Sequence, residues 1–358
     1  MEHRFDAWLL LAVFGILGAS LTILSSLDRV LGAHLFLRQL IWGLIGVGVL
    51  WIVSLLKSNF LYRLAPAAYL GSLALLAAVL IAGHARAGTK GWFVLGPVSF
   101  QPSEIARLGT AMMVAAWYAR RSRLQLRFSE VGIVGVLIGA PMGLILLQPD
   151  LGVALTYLPL LVAALWIGGM PGRYWVLLGI TAALIVGAGW TWGLKPYQKE
   201  RVLTLLEPAR DPFGAGYQVR QSKIAVGSGR VGGQGLGHGS QSVLRFLPAQ
   251  HTDFIFAVWA EATGFIGSSA ALAAYALLLW RIWTAAVHAK DRFGLALASL
   301  IGAWLAFQVF VNLGMVVGWL PTTGITLPLF SYGGSSLLTT CAALGVVGAV
   351  YRDRFVNA

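Results

Sequence analysis

The chain is 358 residues long, 58% hydrophobic and only 11% charged, with a formal net charge of +13. Soluble domains carry roughly 25% charged residues, and the mean hydropathy here is +0.78, so a water-soluble fold is excluded. The basic residues sit between apolar runs and form no stripe interleaved with aromatics, which points to membrane topology and not to nucleic acid.

In chain order, the apolar runs predict ten membrane spans, near 7–26, 38–56, 64–83, 103–119, 131–147, 150–169, 174–192, 253–280, 294–317 and 333–351. About 20 apolar residues cross about 30 Å of hydrocarbon. Met1 to Leu24 has the charged start and apolar stretch of a signal peptide, but further spans follow at once, which favours an uncleaved first helix. Gly15, Gly18, Gly43, Gly46, Gly135 and Gly139 fall at helix-spaced positions that suit close helix packing. With a cytoplasmic N-terminus, thirteen Lys and Arg residues face the cytoplasm and four lie in short outer loops. The positive-inside bias therefore puts both termini in the cytoplasm. The expected fold class is an all-α polytopic membrane protein, a single transmembrane domain over 1–358 with ten helices and one long extracytoplasmic loop, about 193–252. Cys341 is the sole cysteine and lies in an apolar run, so neither an intrachain disulfide nor a thiolate metal site is expected.

The long loop carries eight basic residues against three acids, a hint of an anionic partner on that face. Four polar motifs open outward-facing helices: Gln101 to Glu104, Gln148 to Asp150, His251 to Asp253, and Ser331 to Ser336. Ser103, Asp150 and Thr252 are good N-cap types, and capping alone accounts for any one of them. Together, four exposed helix N-termini beside a basic loop would suit a pyrophosphate group. Glu104 and Arg107 are three apart and able to pair. Asp253 and Glu261 are eight apart on one broad helix face, Asp253 at the outer boundary and Glu261 about two turns deeper in a supporting role. Gly227 to Gly239 holds seven glycines without a P-loop ending and reads as flexible. Leu320 to Gly324 has the form of a sortase signal in the wrong context; Pro321 and Pro328 are expected to shape a re-entrant stretch buried in the protein.

Several long motifs resemble the shape, elongation, division and sporulation family over essentially the whole chain. They are Trp92 to Glu104 (WFVLGPVSFQPSE), Gln148 to Gly152 (QPDLG), Asp211 to Gly229 (DPFGAGYQVRQSKIAVGSG), Phe246 to Phe256 (FLPAQHTDFIF) and Val311 to Ser336 (VNLGMVVGWLPTTGITLPLFSYGGSS). Within the family, QSKIAVGSG and NLGMVVG resemble the elongation branch more than the division branch. The resemblance implies a bacterial cytoplasmic-membrane enzyme that polymerises lipid II, a disaccharide-peptide on undecaprenyl pyrophosphate, into β-1,4 glycan at the outer face. It also implies work beside a class B penicillin-binding protein and other elongation-complex membrane proteins.

The family's essential HTDF acid falls on Asp253 and its QPSE glutamate on Glu104. A basic position usually held by Lys is Arg107, which keeps its charge and cannot serve as a proton donor. Ala249 stands where the family commonly has an acid, so that acid cannot be required here. The implied reaction inverts configuration at the sugar, so Asp253 is expected to be the general base. Gln101, Glu104, Arg107, Asp150, His251, Glu261 and Ser335 are expected to bind or support substrate, with Arg210, Arg220 and Lys223 as candidates for the departing diphosphate. No metal cage is evident; a magnesium or manganese ion would come with the diphosphate. The competing readings are a lipid II flippase, the division-branch activity, and a non-catalytic scaffold.

Overall fold

The structure, a computed structural model, describes residues 6–86, 89–96, 98–123, 125–206 and 214–354. Every expected span falls on helix. The helices are α1 (Ala7–Leu31), α2 (Leu35–Ser54), α3 (Ser58–Ala82), α4 (Pro102–Ala119), α5 (Phe128–Leu147), α6 (Leu151–Leu155), α7 (Leu158–Ile167), α8 (Gly172–Ala188), α9 (Pro196–Leu206), α10 (Ala215–Ser228), α11 (Ser240–Val243), α12 (Ile255–Val287), α13 (Arg292–Val316) and α14 (Gly334–Asp353). Among the described residues, eight helices are long and apolar enough to cross a membrane: α1, α2, α3, α5, α8 with its π-helical extension to Gly193, α12, α13 and α14. The other two expected spans are α4, which carries Glu104 and Arg107, and the α6–α7 pair, broken at Thr156 and Tyr157. Helix α8 buries no residue at all. An apolar helix so exposed is stable only with hydrocarbon around it.

A buried ion pair and a part-buried carboxylate cap fix the two ends of α1. Asp6, the N-cap of α1, holds Arg281 of α12 at 2.8 Å, both nearly sealed from solvent. At the other end of α1, Asp28 accepts the backbone N–H groups of Leu35 and Phe36, at 2.6 and 2.8 Å. Those are two of the four donors that a helix N-terminus leaves without partners.

Three expectations need correction. The fold is not wholly helical: between α3 and α4 lies an antiparallel sheet of β1 (His84–Arg86), β2 (Thr89–Leu95) and β3 (Val98–Phe100), with Phe93 opposite Phe100. Aromatic and β-branched residues favour strands, and Trp92 to Phe100 is rich in both. The packing glycines were also misplaced. Of the six, only Gly46 meets a neighbour closely, at Leu337 and Cys341 of α14, while Gly15, Gly18, Gly43, Gly135 and Gly139 have nothing within 4 Å of where a Cβ would stand. Residue spacing marks a helix face without saying whether a helix lies against it.

The third correction concerns the long loop. It contains α9, α10 and α11, and its glycine-rich stretch is docked rather than loose. Helix α12 breaks at Gly264 (φ 65°, ψ −158°), which frees backbone groups on both sides of the break. The stretch satisfies them: Gln234 N–H donates to Glu261 O, Gly235 N–H to Ala262 O, and Phe265 N–H donates to Arg230 O. A Cβ on Gly233 would lie 2.2 Å from Ala262 O, and one on Gly264 would lie 2.3 Å from Gly233 N. The glycines are there because two backbones cross.

Gly233→Ala is expected to lower stability by about 1–2 kcal/mol from its φ of +81° alone, more with the steric clash, read as the unfolding midpoint in detergent. Full tolerance of the substitution would restore the flexible reading.

Candidate functional site

The four polar motifs converge. Gln101, the N-cap of α4, donates from Nε2 to Asp150 Oδ2 at 3.4 Å, and its own N–H donates to Ser335 Oγ at 3.3 Å. Ser335, in the first turn of α14, donates in turn to Ser99 O of β3. On the other side of α14, Ser331 Oγ donates to Thr252 O at 2.7 Å, Tyr332 N–H donates to His251 O, and the His251 and Tyr332 rings meet edge to face. The N-termini of α4, α6 and α14 and the turn before α12 therefore share one end of the bundle.

Between α13 and α14 the chain from Trp319 to Gly333 forms no helix, and much of it is buried. We call it the strap. A non-helical backbone in an apolar surround must find other partners for its carbonyls. Five side chains from five different helices supply them. Arg201 Nη1 donates to Thr322 O (3.2 Å), Asn312 Nδ2 to Ile325 O (2.9 Å), Tyr275 Oη to Pro328 O (2.6 Å), Ser20 Oγ to Phe330 O (2.6 Å) and Gln39 Nε2 to Ser331 O (3.1 Å). At the two prolines expected to shape a re-entrant stretch the chain is non-helical, part-buried at Pro321 and buried at Pro328.

The strap carries the site's wall. A Cβ on Gly152 would clash with Thr323 O, so the Asp150 turn packs on the strap, and Gly324, exposed at φ +74°, would place a Cβ 3.8 Å from Asp253 Oδ2. Asp253 precedes α12 in a tight turn in which Thr252 and Phe254 N–H both donate to Ala249 O. Helix α12 begins at Ile255, so Asp253 and Glu261 do not share a helix face as expected. The lost acid position is held by Ala249 at φ 50°, a turn corner whose carbonyl is what matters locally.

Burial pushes the Asp253 carboxyl above the ordinary aspartate range, against a lowering by the Thr252 hydroxyl and by Arg201. Asp150 is raised too, first by burial; its hydrogen bond from Val153 N–H lowers it, Glu104 raises it, and Arg107 and Arg201 lower it. One cation, Arg201 of α9, thus acts on both carboxylates. It stood in the sequence as one loop cation among eight, and nothing in the local sequence marks a residue that reaches a carbonyl 121 positions away.

Glu104 and Arg107 do pair, nearly sealed from solvent, and the Arg107 guanidinium lies 4.8 Å from the Trp304 ring centroid of α13. Glu261 supports another helix: its carboxylate accepts Gln241 N–H (2.8 Å), Ser242 N–H (3.1 Å) and Ser242 Oγ (3.0 Å), capping α11. Of the expected diphosphate cations, Lys223 lies along Gly318 at the C-terminal end of α13, where a helix dipole favours a cation. Arg220 is exposed on α10, and Arg210 lies outside the described residues. Among the described residues, no three His, Cys, Asp or Glu side chains converge as metal ligands. Asp150 and Asp253 offer oxygen donors suited to a hard divalent cation.

Glu261→Ala would strand three donors at the start of α11. It is expected to cost about 1–3 kcal/mol per unmet buried group, seen as a lower unfolding midpoint, with Glu261→Gln milder.

Residues 3–355 match the FtsW/RodA/SpoVE family, described as cell cycle proteins. The peptidoglycan glycosyltransferase MrdB of Escherichia coli (strain K12) is 42% identical over 294 residues, which span 81% of this chain and 78% of MrdB. The crystal structure of the rod shape determining protein RodA of Thermus thermophilus aligns with a TM-score of 0.74 at 33% identity, covering 98% of each chain. A chain from a study of how a peptidoglycan synthase complex coordinates polymerization and crosslinking aligns with a TM-score of 0.83 at 36% identity, covering 98% of this chain and 99% of that one.

Proposed function

The chain belongs to the FtsW/RodA/SpoVE family of cell cycle proteins, and from that premise we propose that it is a RodA-like peptidoglycan glycosyltransferase, a multi-pass membrane enzyme that polymerises lipid II into β-1,4 glycan. The observation that carries the mechanism is the Asp253 carboxylate, part-buried beside the exposed Gly324 with Arg201 acting on it. We place all ten spans in the bacterial cytoplasmic membrane with both termini inside, on the thirteen-to-four distribution of basic residues. The polar end of the bundle then faces outward, where the saccharide of lipid II is exposed.

In a single displacement, Asp253 takes the proton of the acceptor sugar's 4-hydroxyl. The oxygen attacks the donor's anomeric carbon as the bond to the undecaprenyl diphosphate breaks. A carboxylate is the right base here because burial has raised its proton affinity without removing its access. The departing diphosphate needs positive charge, and Arg201 is better placed for it than Arg220 or Lys223. The N-termini of α4 and α14 add aligned backbone dipoles. A divalent cation carried on the diphosphate would find oxygen donors in Asp150 and Asp253. A class B penicillin-binding protein supplies the crosslinking activity beside it.

Asp253→Asn keeps the shape and removes the base, so kcat for polymerising purified lipid II, with the cognate partner present, is expected to fall about 10²–10⁴-fold. A folded variant that elongates glycan at the wild-type rate would sink the assignment, and lipid II flipping in vesicles without polymer would favour a transporter.

The pH profile provides a second check. A base works only when deprotonated, so the rate is lost as pH falls through the raised Asp253 pKa, above the ordinary aspartate value of about 3.9. Arg201 holds that pKa down, so Arg201→Gln is expected to move the acid limb to higher pH and to lower kcat. An acid limb that stays in place contradicts the coupling.

A further inference from the structure

We propose that Asn312 of α13 is a positioning residue that sets the distance between the Asp253 carboxylate and the strap; this rests on Asp253 being the base. Asn312 is fully buried within a 25-residue apolar helix. Its single amide nitrogen donates at 2.9 Å to Asp253 O and at 2.9 Å to Ile325 O. One rigid planar group therefore ties together two segments 72 positions apart, the turn that carries the base and the strap that faces it.

The attachment points are adjacent to the working atoms. Asp253 is itself the residue held, and Ile325 follows Gly324, whose Cβ position lies 3.8 Å from Asp253 Oδ2. The strap is also fixed in this region by Arg201 at Thr322 O, by the packing of Gly152 on Thr323 and by the Thr326 hydroxyl against that of Ser336 at 3.1 Å. The far end of the strap meets the same turn where Ser331 Oγ donates to Thr252 O and Tyr332 N–H to His251 O, so losing the Asn312 bonds would loosen the Gly324 end of the strap relative to the base while leaving the other fixings in place.

The side-chain chemistry is restrictive. Two carbonyl oxygens need two donors on one short arm. Aspartate offers none, leucine has the same size and offers none, and glutamine carries both on an arm one methylene longer. A polar residue in an apolar span is costly unless it is used.

The test is steady-state polymerisation of purified lipid II by the protein with its partner, for wild type, Asn312→Leu, Asn312→Gln and Asp253→Glu, and for Asn312→Leu combined with Asp253→Glu. Displacing a reacting group by about 1 Å can cost 10²-fold, so Asn312→Leu is expected to lower kcat about 10–100-fold with KM within about twofold. Asn312→Gln should recover part of that loss. In the Asp253→Glu background, where the carboxylate is already displaced, Asn312→Leu should cost much less than in wild type, because the two act as a unit.

A KM rise at constant kcat, or losses that simply multiply in the double variant, overturns the proposal. If Asn312→Leu does not fold, Asn312→Gln is read in its place: a wild-type kcat leaves the proposal standing only if Asn312→Ala, tested alongside, loses kcat. An inactive Asp253→Asn beside fully active Asn312 variants would remove the positioning role and leave the base intact. An active Asp253→Asn would remove the base itself.

Discussion

The polar end of this protein depends on a stretch of backbone that is neither helix nor strand, held where few waters can serve it. The strap between α13 and α14 keeps that form because Ser20, Gln39, Arg201, Tyr275 and Asn312 each give a donor to one of its carbonyls. Unmet buried carbonyls cost free energy comparable to lost hydrogen bonds. Five helices are thereby drawn to the same short segment, and four of them, all but α13, are far from it in sequence. Gly324 can then stand open beside Asp253 with no side chain of its own in the way.

The same rule governs the break in α12. Gly264 interrupts the helix, and the freed groups are met by the backbone of Gly229 to Gly235, which approaches closely because Gly229 and Gly233 have no side chain at the crossing. One consequence is that Glu261, just before the break, points at α11 and caps it. Another is that α12 can begin at the mouth of the site and still continue for 33 residues. The segment between α8 and α12 is thus part of the scaffold, and its helix α9 carries Arg201 to the strap.

Charge follows from this arrangement. Asp150 and Asp253 sit on turns that pack against the strap, where burial raises both carboxyls and Arg201 partly offsets the rise. Glu104 and Arg107 lie deeper and are committed to each other and to Trp304. Their sealed position makes them a support for α4 more than a surface for a sugar. The result is two part-buried carboxylates, Asp150 and Asp253, with one cation acting on both, an arrangement that suits a base working beside a departing diphosphate.

Hydropathy marked ten runs that fall on helix, eight of them long and apolar enough among the described residues to cross a membrane, because length and apolar composition are local properties. The polar motifs at Gln101, Asp150, Asp253 and Ser335 were equally visible, since polar residues at the edges of apolar runs are conspicuous. Asn312 is likewise visible as one of two amides, with Gln308, inside an apolar span, though nothing local says what it holds. What the sequence left undecided is every pairing between distant segments. The glycines of 227–239 look flexible on composition, yet they are fixed by a break 30 residues away, and evenly spaced glycines on α1 and α5 pack against nothing. Arg201 is one cation in a basic loop until the fold carries it to the strap. Composition and periodicity are set by neighbours in the chain, whereas hydrogen-bond partners for broken helices and buried turns are found only when the whole bundle closes.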